Sequence, residues 1–199
     1  MHQNNNKYFQ QEYKNEKKMR LETERLILRP WEESDAESLY LYAKDEQVGP
    51  AAGWPAHKSV EESKAVINNE FAHPEIYAVA LKDTNEAIGC IGLLIGKNSN
   101  FDISENEAEV AYWVGVPHWG KGYIPEALER LIKHAFVDLK MVDLWCGFYE
   151  ENTKSLRAQS KCGFTFAYKS ENRYDKYFKD DRIEVITRLK YEDWLQSQQ

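Results

Sequence analysis

The sequence predicts an α/β fold, of the α+β kind, in which a single mixed, mostly antiparallel sheet is flanked by helices. Its 199 residues, 42% of them hydrophobic, are enough for one domain with its own core, without disulfides or a structural metal. Apolar periodicity gives the element order strand, two helices, three strands, helix, strand, helix and two strands. Successive strands followed by alternating helices and strands are typical of one mixed sheet with helical cover.

The chain is predicted to begin its fold with a strand and two helices. Residues 25–29 place three apolar residues between two arginines, as expected of a short strand. Two capping boxes, in which a serine precedes a glutamate by three residues, predict the helix starts: Ser34 with Glu37, and Ser59 with Glu62. The predicted ranges are 34–43 and 59–72 for the helices and 47–55 for a breaker-rich loop between them.

Three strands follow, and the first two are predicted to form an antiparallel hairpin. They cover residues 76–81 and 87–95, and about five mostly polar residues connect them. The third strand, 107–116, comes after a polar loop.

The second half of the chain alternates helices and strands. The clearest helix covers residues 120–139, where apolar side chains recur at the i, i+3, i+4, i+7 spacing. A strand at 141–148 and a short helix at 152–162 follow it. Two further strands are predicted at 164–168 and 182–189, and Ile183, Val185, Thr187 and Leu189 alternate along the second, as in a half-buried strand.

Charge and composition exclude several classes of protein. The formal charge of −7 makes direct nucleic-acid binding a poor expectation. No segment approaches the ~20 apolar residues of a membrane span, and the first residues lack the apolar core of a secretory signal. Cys90, Cys146 and Cys162 show no metal-binding spacing, so we expect them in the core of a reduced, cytoplasmic protein without a metal site.

Residues 1–20 differ in composition from the rest of the chain. They are rich in Asn, Gln and Lys and carry a net charge of +3, from five basic and two acidic residues. We expect a flexible basic tail at 1–20 and a single domain at 21–199, whose net charge is then −10. Met19, just before the first core segment, is a candidate alternative start.

A glycine-rich turn joins the third strand of this series to the long helix. Gly120 and Gly122 lie in the sequence Trp-Gly-Lys-Gly-Tyr, and glycine lets backbone N–H groups approach a ligand closely. The helix N-terminus adds its positive dipole end, which favours an anion such as a pyrophosphate. The spacing matches neither a Walker loop nor a Rossmann fingerprint. Taken alone, the turn is equally consistent with an ordinary connection.

Longer segments place this turn in a family. Residues 109–128, Glu-Val-Ala-Tyr-Trp-Val-Gly-Val-Pro-His-Trp-Gly-Lys-Gly-Tyr-Ile-Pro-Glu-Ala-Leu, resemble the acetyl-CoA-binding motif of GNAT-type N-acetyltransferases. The closest likeness is to the RimJ/RimL branch, the ribosomal-protein N-acetyltransferases. Residues 152–155 and 161–164 resemble that branch's Asn-x-x-Ser and Lys-x-Gly-Phe segments, and 21–30 resembles its usual opening. Together the likeness covers about residues 21–190.

The resemblance implies the acyl-CoA N-acyltransferase (GNAT) fold, in which the strand before the turn splays from its neighbour and the pantetheine arm of acetyl-CoA lies in the gap. Val114 or Gly115 would polarise the thioester carbonyl. Trp119 and Ile124 depart from the wider superfamily, which favours Gln or Arg and Gly or Ala there. The residues implied to bind acetyl-CoA are Val114, Gly115, Val116, Trp119, Gly120, Lys121, Gly122, Tyr123, Ile124, Asn152 and Ser155.

Acetyl transfer to an amine needs a group that removes the amine's proton and a group that assists the departing thiolate. Glu109 matches the position where the family often keeps an acidic residue, and Glu107, on the same alternation, is the alternative base. By resemblance, Ser155 lies near the sulfur. Asn152 is also predicted by its spacing to be the N-cap of the helix that follows it.

The implied reaction is direct acetyl transfer from acetyl-CoA to a primary amine. The branch favours a protein N-terminal α-amine as acceptor. The alternatives are a small amine (a polyamine, an amino acid or a drug) and a non-catalytic acyl-CoA-binding regulator. The loop with Trp54 and His57 is expected on the acceptor side, and His118 is expected at the surface. Both a monomer and a homodimer are consistent with the sequence.

Overall fold

The computed structural model describes residues 19–175 and 180–199, so the predicted tail, apart from its last two residues, lies outside the described residues. Its centre is an eight-stranded sheet with the order β1-β2-β3-β4-β5-β6-β8-β7. The strands are β1 (Leu21–Glu22), β2 (Leu26–Arg29), β3 (Ile76–Leu81), β4 (Ala87–Ile95), β5 (Glu107–Val114), β6 (Asp143–Tyr149), β7 (Thr165–Asp175) and β8 (Asp180–Lys190). Neighbouring strands pair antiparallel except β5 and β6, which are parallel. The predicted mixed, mostly antiparallel sheet is confirmed.

Helices cover both faces of this sheet. They are α1 (Ala36–Ala43), α2 (Gly49–Ala52), α3 (Val60–Asn69), α4 (Tyr123–Lys133), α5 (Thr153–Lys161) and α6 (Tyr191–Ser197). The apolar sides of α4 and α5 pack with the larger buried cluster, and those of α1 and α3 with a smaller one on the other face. None of the helices in the described part of the chain has the length and apolar composition that crossing a membrane requires.

Local signals predicted one of the two early helix starts correctly. The Ser59 hydroxyl accepts the Glu62 N–H at 3.1 Å, so α3 begins where its capping box predicts. The box of Ser34 with Glu37 is wrong, because a 3-10 turn precedes α1. There the Asp35 carboxylate accepts the Glu32 N–H at 2.9 Å instead.

Other boundaries differ from the sequence prediction for identifiable reasons. The predicted strand 107–116 ends at Val114, because a 3-10 turn, Val116–His118, follows Gly115. The long helix begins at Tyr123 rather than at residue 120, because Gly120 and Gly122 adopt left-handed φ angles of 73° and 79°. The short α2 lies within the predicted loop, and neither β1 nor α6 was predicted.

Candidate functional site

Strands β5 and β6 pair only at their beginnings and then separate. Their parallel ladder ends where Glu109 lies beside Trp145. Beyond that point β5 stays paired with β4 as far as Val114, and β6 stays paired with β8 as far as Tyr149. The separation opens a V-shaped gap between two strands whose other edges are anchored in the sheet. This is the arrangement that the family resemblance implied.

The backbone of Val114 lines this gap. The Gly115 N–H donates to the Ile88 carbonyl in β4 at 2.9 Å, so the alternation along β5 directs the Val114 N–H and C=O away from β4. The Trp119 indole N–H donates to the Val114 carbonyl at 2.8 Å. Of the two residues expected to polarise a carbonyl, Val114 therefore directs its N–H to the gap, whereas the Gly115 N–H is engaged in the sheet.

The glycine turn presents a row of unused backbone donors. The N–H groups of Gly120, Lys121 and Gly122 donate to no other group of the described residues. The next two N–H groups, of Tyr123 and Ile124, lie in the first turn of α4, where a helix supplies no acceptor. Five donors at the positive end of a helix form an anion site that suits a pyrophosphate. In the preceding turn, the Trp119 N–H donates to the Val116 carbonyl at 3.1 Å, so these two groups are already used.

Two cations beside the turn were missed by the sequence analysis. The Arg25 guanidinium donates to the Lys121 carbonyl at 3.0 Å and to the Glu126 carboxylate at 2.6 Å. The Lys154 ammonium lies 3.4 Å from the centre of the Trp119 ring. Lys154 lies in the first turn of α5, at one of the unspecified positions of the recognised Asn-x-x-Ser segment. Arg25 gave no such signal, because 96 residues separate it from the turn.

Asn152 and Ser155 lie at the start of α5, opposite the glycine turn. The Asn152 side chain accepts the Ser155 N–H at 3.1 Å, so its predicted role as N-cap is confirmed. Its amide nitrogen reaches the Ala51 carbonyl of α2 at 3.4 Å. The cap fixes the first turn of α5 and with it the direction of the Ser155 side chain.

A buried chain of hydrogen bonds sets the direction of the Ser155 hydroxyl. The Gln159 carbonyl oxygen accepts the Thr187 hydroxyl at 2.6 Å, which orients the amide. Its nitrogen then donates to Ser155 Oγ at 3.0 Å and to the Tyr112 hydroxyl at 3.2 Å. Tyr112 lies 2.7 Å from Ser155 Oγ, and burial raises its pKa, so this phenol stays protonated and can donate to Ser155. The serine's own hydrogen is then free for another acceptor.

Tyr112, Gln159 and Thr187 were not singled out from the sequence. Gln159 is fully buried, four residues after Ser155, and so lies on the same face of α5. That spacing was a usable signal. Thr187 was not predictable as a partner, because it reaches Gln159 only through the pairing of β6 with β8.

The two glutamates considered as bases both hold the loop that precedes β5. Glu109 is buried, and its carboxylate accepts the Ser99 hydroxyl at 2.8 Å and the Asn100 N–H at 2.6 Å, with the Asn100 amide at 3.1 Å. The Glu107 carboxylate accepts the Ser104 N–H at 2.9 Å. Both side chains therefore have structural partners.

The three cysteines lie in or beside the core. Cys90 and Cys146 are buried and Cys162 is half-buried. Burial raises the pKa of Cys90 and of Cys162 to about 12 and that of Cys146 well above its usual range. Thiolates are therefore absent at neutral pH, so a covalent acetyl-cysteine is not favoured.

Among the described residues, no cluster of His, Cys, Asp and Glu has the arrangement of a metal site.

The face of the sheet that carries α1 and α3 holds the aromatic residues of the 47–58 loop. Trp54 packs edge-on against Trp113 of β5, with ring centres 5.7 Å apart, and beside His57 at 5.3 Å. His118 is half-buried rather than on the surface as expected, because its ring lies 3.1 Å from the Tyr42 hydroxyl. Burial, and secondarily Lys121, lowers the His118 pKa.

Comparison with known proteins agrees with this geometry. Residues 25–165 match the acetyltransferase (GNAT) domain family. An uncharacterised N-acetyltransferase of Bacillus licheniformis, p20, is 30% identical over 149 residues, which are 72% of this chain and 81% of that protein. A GNAT-family acetyltransferase structure from Bacillus anthracis superimposes with a TM-score of 0.77 at 21% identity, over 87% of this chain and 99% of the other.

A second solved structure is the ribosomal-protein-S5-alanine acetyltransferase from Vibrio fischeri. It superimposes with a TM-score of 0.69 at 19% identity, over 88% of this chain and 98% of the other. The splayed strands, the glycine turn and the matched domain all lead to one conclusion: the chain is an acyltransferase that belongs to the GNAT family of N-acetyltransferases.

Proposed function

We propose that the protein transfers an acetyl group from acetyl-CoA directly to the α-amine of a protein N-terminus, as the RimJ/RimL branch does. The main observation in support of this proposal is the row of five unused N–H groups from Gly120 to Ile124 at the mouth of the gap between β5 and β6. These donors, with Arg25 and Lys154 nearby, fit a diphosphate followed by an extended arm. When bound, acetyl-CoA supplies an activated acetyl group as a thioester.

Within this proposal each residue has a defined task. The Val114 N–H donates to the carbonyl oxygen where negative charge develops. The Ser155 hydroxyl, held by Tyr112 and Gln159, donates to the departing sulfur. Trp54 and Trp113 form part of the wall on the acceptor side.

The acidity of an α-amine and the family resemblance support it as acceptor. At pH 7 about 10% of an α-amine of pKa ~8 is already neutral, against about 0.1% of a lysine-like amine, so it demands less of a base. The net charge of −10 on residues 21–199 attracts any cationic acceptor, so it fits a peptide N-terminus and a small amine equally. Resemblance to the RimJ/RimL branch adds the specific expectation of a protein substrate, such as the one named for the Vibrio fischeri protein.

A panel of amines tests this proposal. The purified protein is incubated with acetyl-CoA and with peptides that carry a free N-terminus, polyamines, amino acids and aminoglycoside drugs, and acetylation is followed by thiol release. We expect the highest kcat/KM with the peptides and no product from the same peptides with a blocked N-terminus. A preference for polyamines or drugs would contradict the protein acceptor. Acetyl-CoA binding without turnover on any amine would favour a non-catalytic regulator.

A further inference from the structure

Glu184 lies in the site through the pairing of β6 with β8. The register places Glu184 beside Tyr149 and Ile186 beside Gly147. A Cβ added to Gly147 would lie 2.2 Å from the Glu184 carboxylate oxygen, so this carboxylate occupies the space above the glycine backbone. Gly147 is two residues past Trp145, where the β5–β6 ladder ends. The carboxylate therefore lies over β6 just beyond the point where β5 and β6 separate, with the Phe101 ring also close to Gly147.

The face on which this carboxylate lies is the one from which an acceptor can enter. Because side chains alternate along a strand, Gly147 shares its face with Trp145, and Trp145 lies beside Glu109 on β5. Ser155 and Tyr112 lie on the opposite face, with α4 and α5. A thioester in the gap would thus have its sulfur toward Ser155 and its carbonyl carbon open to an amine from the Glu184 side.

Glu184 also lines a cavity, whereas Glu109 is enclosed. Glu184 is half-buried at the edge of a cavity of about 200 Å³, whose walls include Phe101, Tyr168 and Ser170. Phe101 belongs to the loop that the Glu109 carboxylate holds through Ser99 and Asn100. Glu109 therefore holds the loop that forms part of the cavity wall, and Glu184 lines the cavity itself.

We propose that Glu184 is the catalytic residue that accepts the proton of the acceptor ammonium, and that Glu109 is a positioning residue. This inference rests on the proposed acetyl-transfer function. The ammonium loses one proton to Glu184 and from there to water, and its nitrogen forms a bond to the acetyl carbon. The thioester C–S bond breaks with its electron pair on sulfur. The second proton of the nitrogen reaches that sulfur, for which Ser155 is the hydrogen-bond donor.

The test is the pH dependence of kcat/KM for Glu184→Gln with an α-amine peptide. We expect a loss of about a hundredfold near neutral pH, in the usual range for a missing base. The deficit should shrink as the pH rises and the free amine becomes neutral without help. The dissociation constant for acetyl-CoA should stay within about twofold. A merely structural role for Glu184 would give a deficit that does not change with pH.

Two further variants keep the result interpretable. Gly147→Ala retains the carboxylate but displaces it, and we expect a lower kcat with an intact fold, because the clash is with the end of a flexible side chain. Glu192→Gln, an exposed residue of α6, is the control for surface charge and should match the wild type. Glu109→Gln should raise the acceptor KM and leave the pH dependence of the wild type in place.

The outcomes separate this inference from the function on which it rests. An active wild type whose rate and pH profile survive Glu184→Gln overturns the role of Glu184 and leaves acetyl transfer standing. An active wild type whose pH dependence disappears in Glu109→Gln assigns the base to Glu109 instead. A folded wild type that acetylates no amine overturns the proposed function and this inference with it.

Discussion

Hydrogen bonds from neighbouring side chains determine the direction in which the Ser155 hydroxyl can donate its own hydrogen. Two donors point at its oxygen, the Gln159 amide and the Tyr112 phenol, and the Thr187 hydroxyl fixes which end of the amide donates. A hydroxyl that already accepts two hydrogen bonds is left with its own hydrogen to give. That hydrogen is then available to a thiolate at the gap.

Replacing Ser155 by alanine removes this hydrogen bond without removing charge. We expect kcat to fall about tenfold, which corresponds to one hydrogen bond of about 1.4 kcal/mol in the transition state. Steady-state assays of thiol release measure this change. The control is Ser160→Ala, because Ser160 is exposed on the same helix. Equal rates for Ser155→Ala and wild type would remove Ser155 from the reaction.

His134 provides a second test at the scale of one residue, this time of stability. Its ring is buried; burial disfavours the charged form, but hydrogen bonds to Glu75 at 3.1 Å and Asp138 at 2.8 Å outweigh burial and raise its pKa. A raised folded-state pKa contributes stability that is complete below the unfolded value of ~6.5 and is lost as the pH rises through the folded value.

The expected result is a Tm that declines as the pH rises through and above ~6.5, beyond the decline seen in His134→Gln. Thermal unfolding of both proteins at matched ionic strength from weakly acidic to weakly alkaline pH measures the difference. Parallel curves for the two proteins would show that the His134 cluster does not contribute.

At the scale of elements, the glycine turn is defined by backbone conformation rather than by side chains. Gly120 has a φ of 73°, and a Cβ at this position would meet nothing within 4 Å. An alanine at this position would meet no steric clash with other residues. Its only cost is the left-handed backbone angle, about 1–2 kcal/mol. If the chain relaxes, the N–H groups from Gly120 to Ile124 turn away from their common target.

Gly120→Ala therefore tests the anion site. We expect its dissociation constant for acetyl-CoA to rise at least severalfold, measured by calorimetry. Gly163→Ala is the matched control, because Gly163 has a similar φ of 89° but lies at the far end of α5. It should lose a comparable amount of stability and keep its affinity for acetyl-CoA. Equal affinity losses in both variants would indicate a general weakening of the fold.

The elements that could be predicted from the sequence are those defined by neighbouring residues. The Ser59 cap, the hairpin of β3 and β4 and the glycine turn depend on short spacings and were predicted. The Ser34 cap failed because Asp35 forms a buried ion pair with Arg29 at 2.7 Å, a partner outside the helix. Long-range pairing overrides a local signal in such cases.

The candidate site likewise contains some features that follow from neighbouring residues and others that depend on the pairing of distant strands. The donors of the glycine turn and the Asn152 cap follow from contiguous sequence. Arg25 and Glu184 reach the site only because distant strands pair, and no spacing along the chain signals this. Conversely, Glu109 had the expected place on β5, but the sequence did not reveal that Ser99 and Asn100 would engage its carboxylate.

At the scale of the whole molecule, the charge distribution has to serve two ligands of opposite sign. In the proposed function, residues 21–199 bind the anionic acetyl-CoA through the local donors of the turn, with Arg25 and Lys154 beside them. The remaining negative charge of this domain attracts a cationic amine over longer distances. Salt should therefore affect the two substrates differently, because it screens long-range attraction between exposed charges.

We expect the KM for a basic acceptor peptide to rise severalfold between low and about physiological ionic strength. The KM for a peptide with acidic residues after its free N-terminus should fall or stay constant over the same range. Initial rates at saturating acetyl-CoA measure both values. The same salt dependence for both peptides would contradict attraction by the acidic domain.

The most direct test of the account is mass spectrometry of a peptide incubated with the wild-type protein and acetyl-CoA. The account predicts one acetyl group on the α-nitrogen of the first residue, formed at a rate that Glu184→Gln reduces about a hundredfold near neutral pH. An unmodified α-nitrogen, under conditions where acetyl-CoA binds and another amine is acetylated, would contradict it.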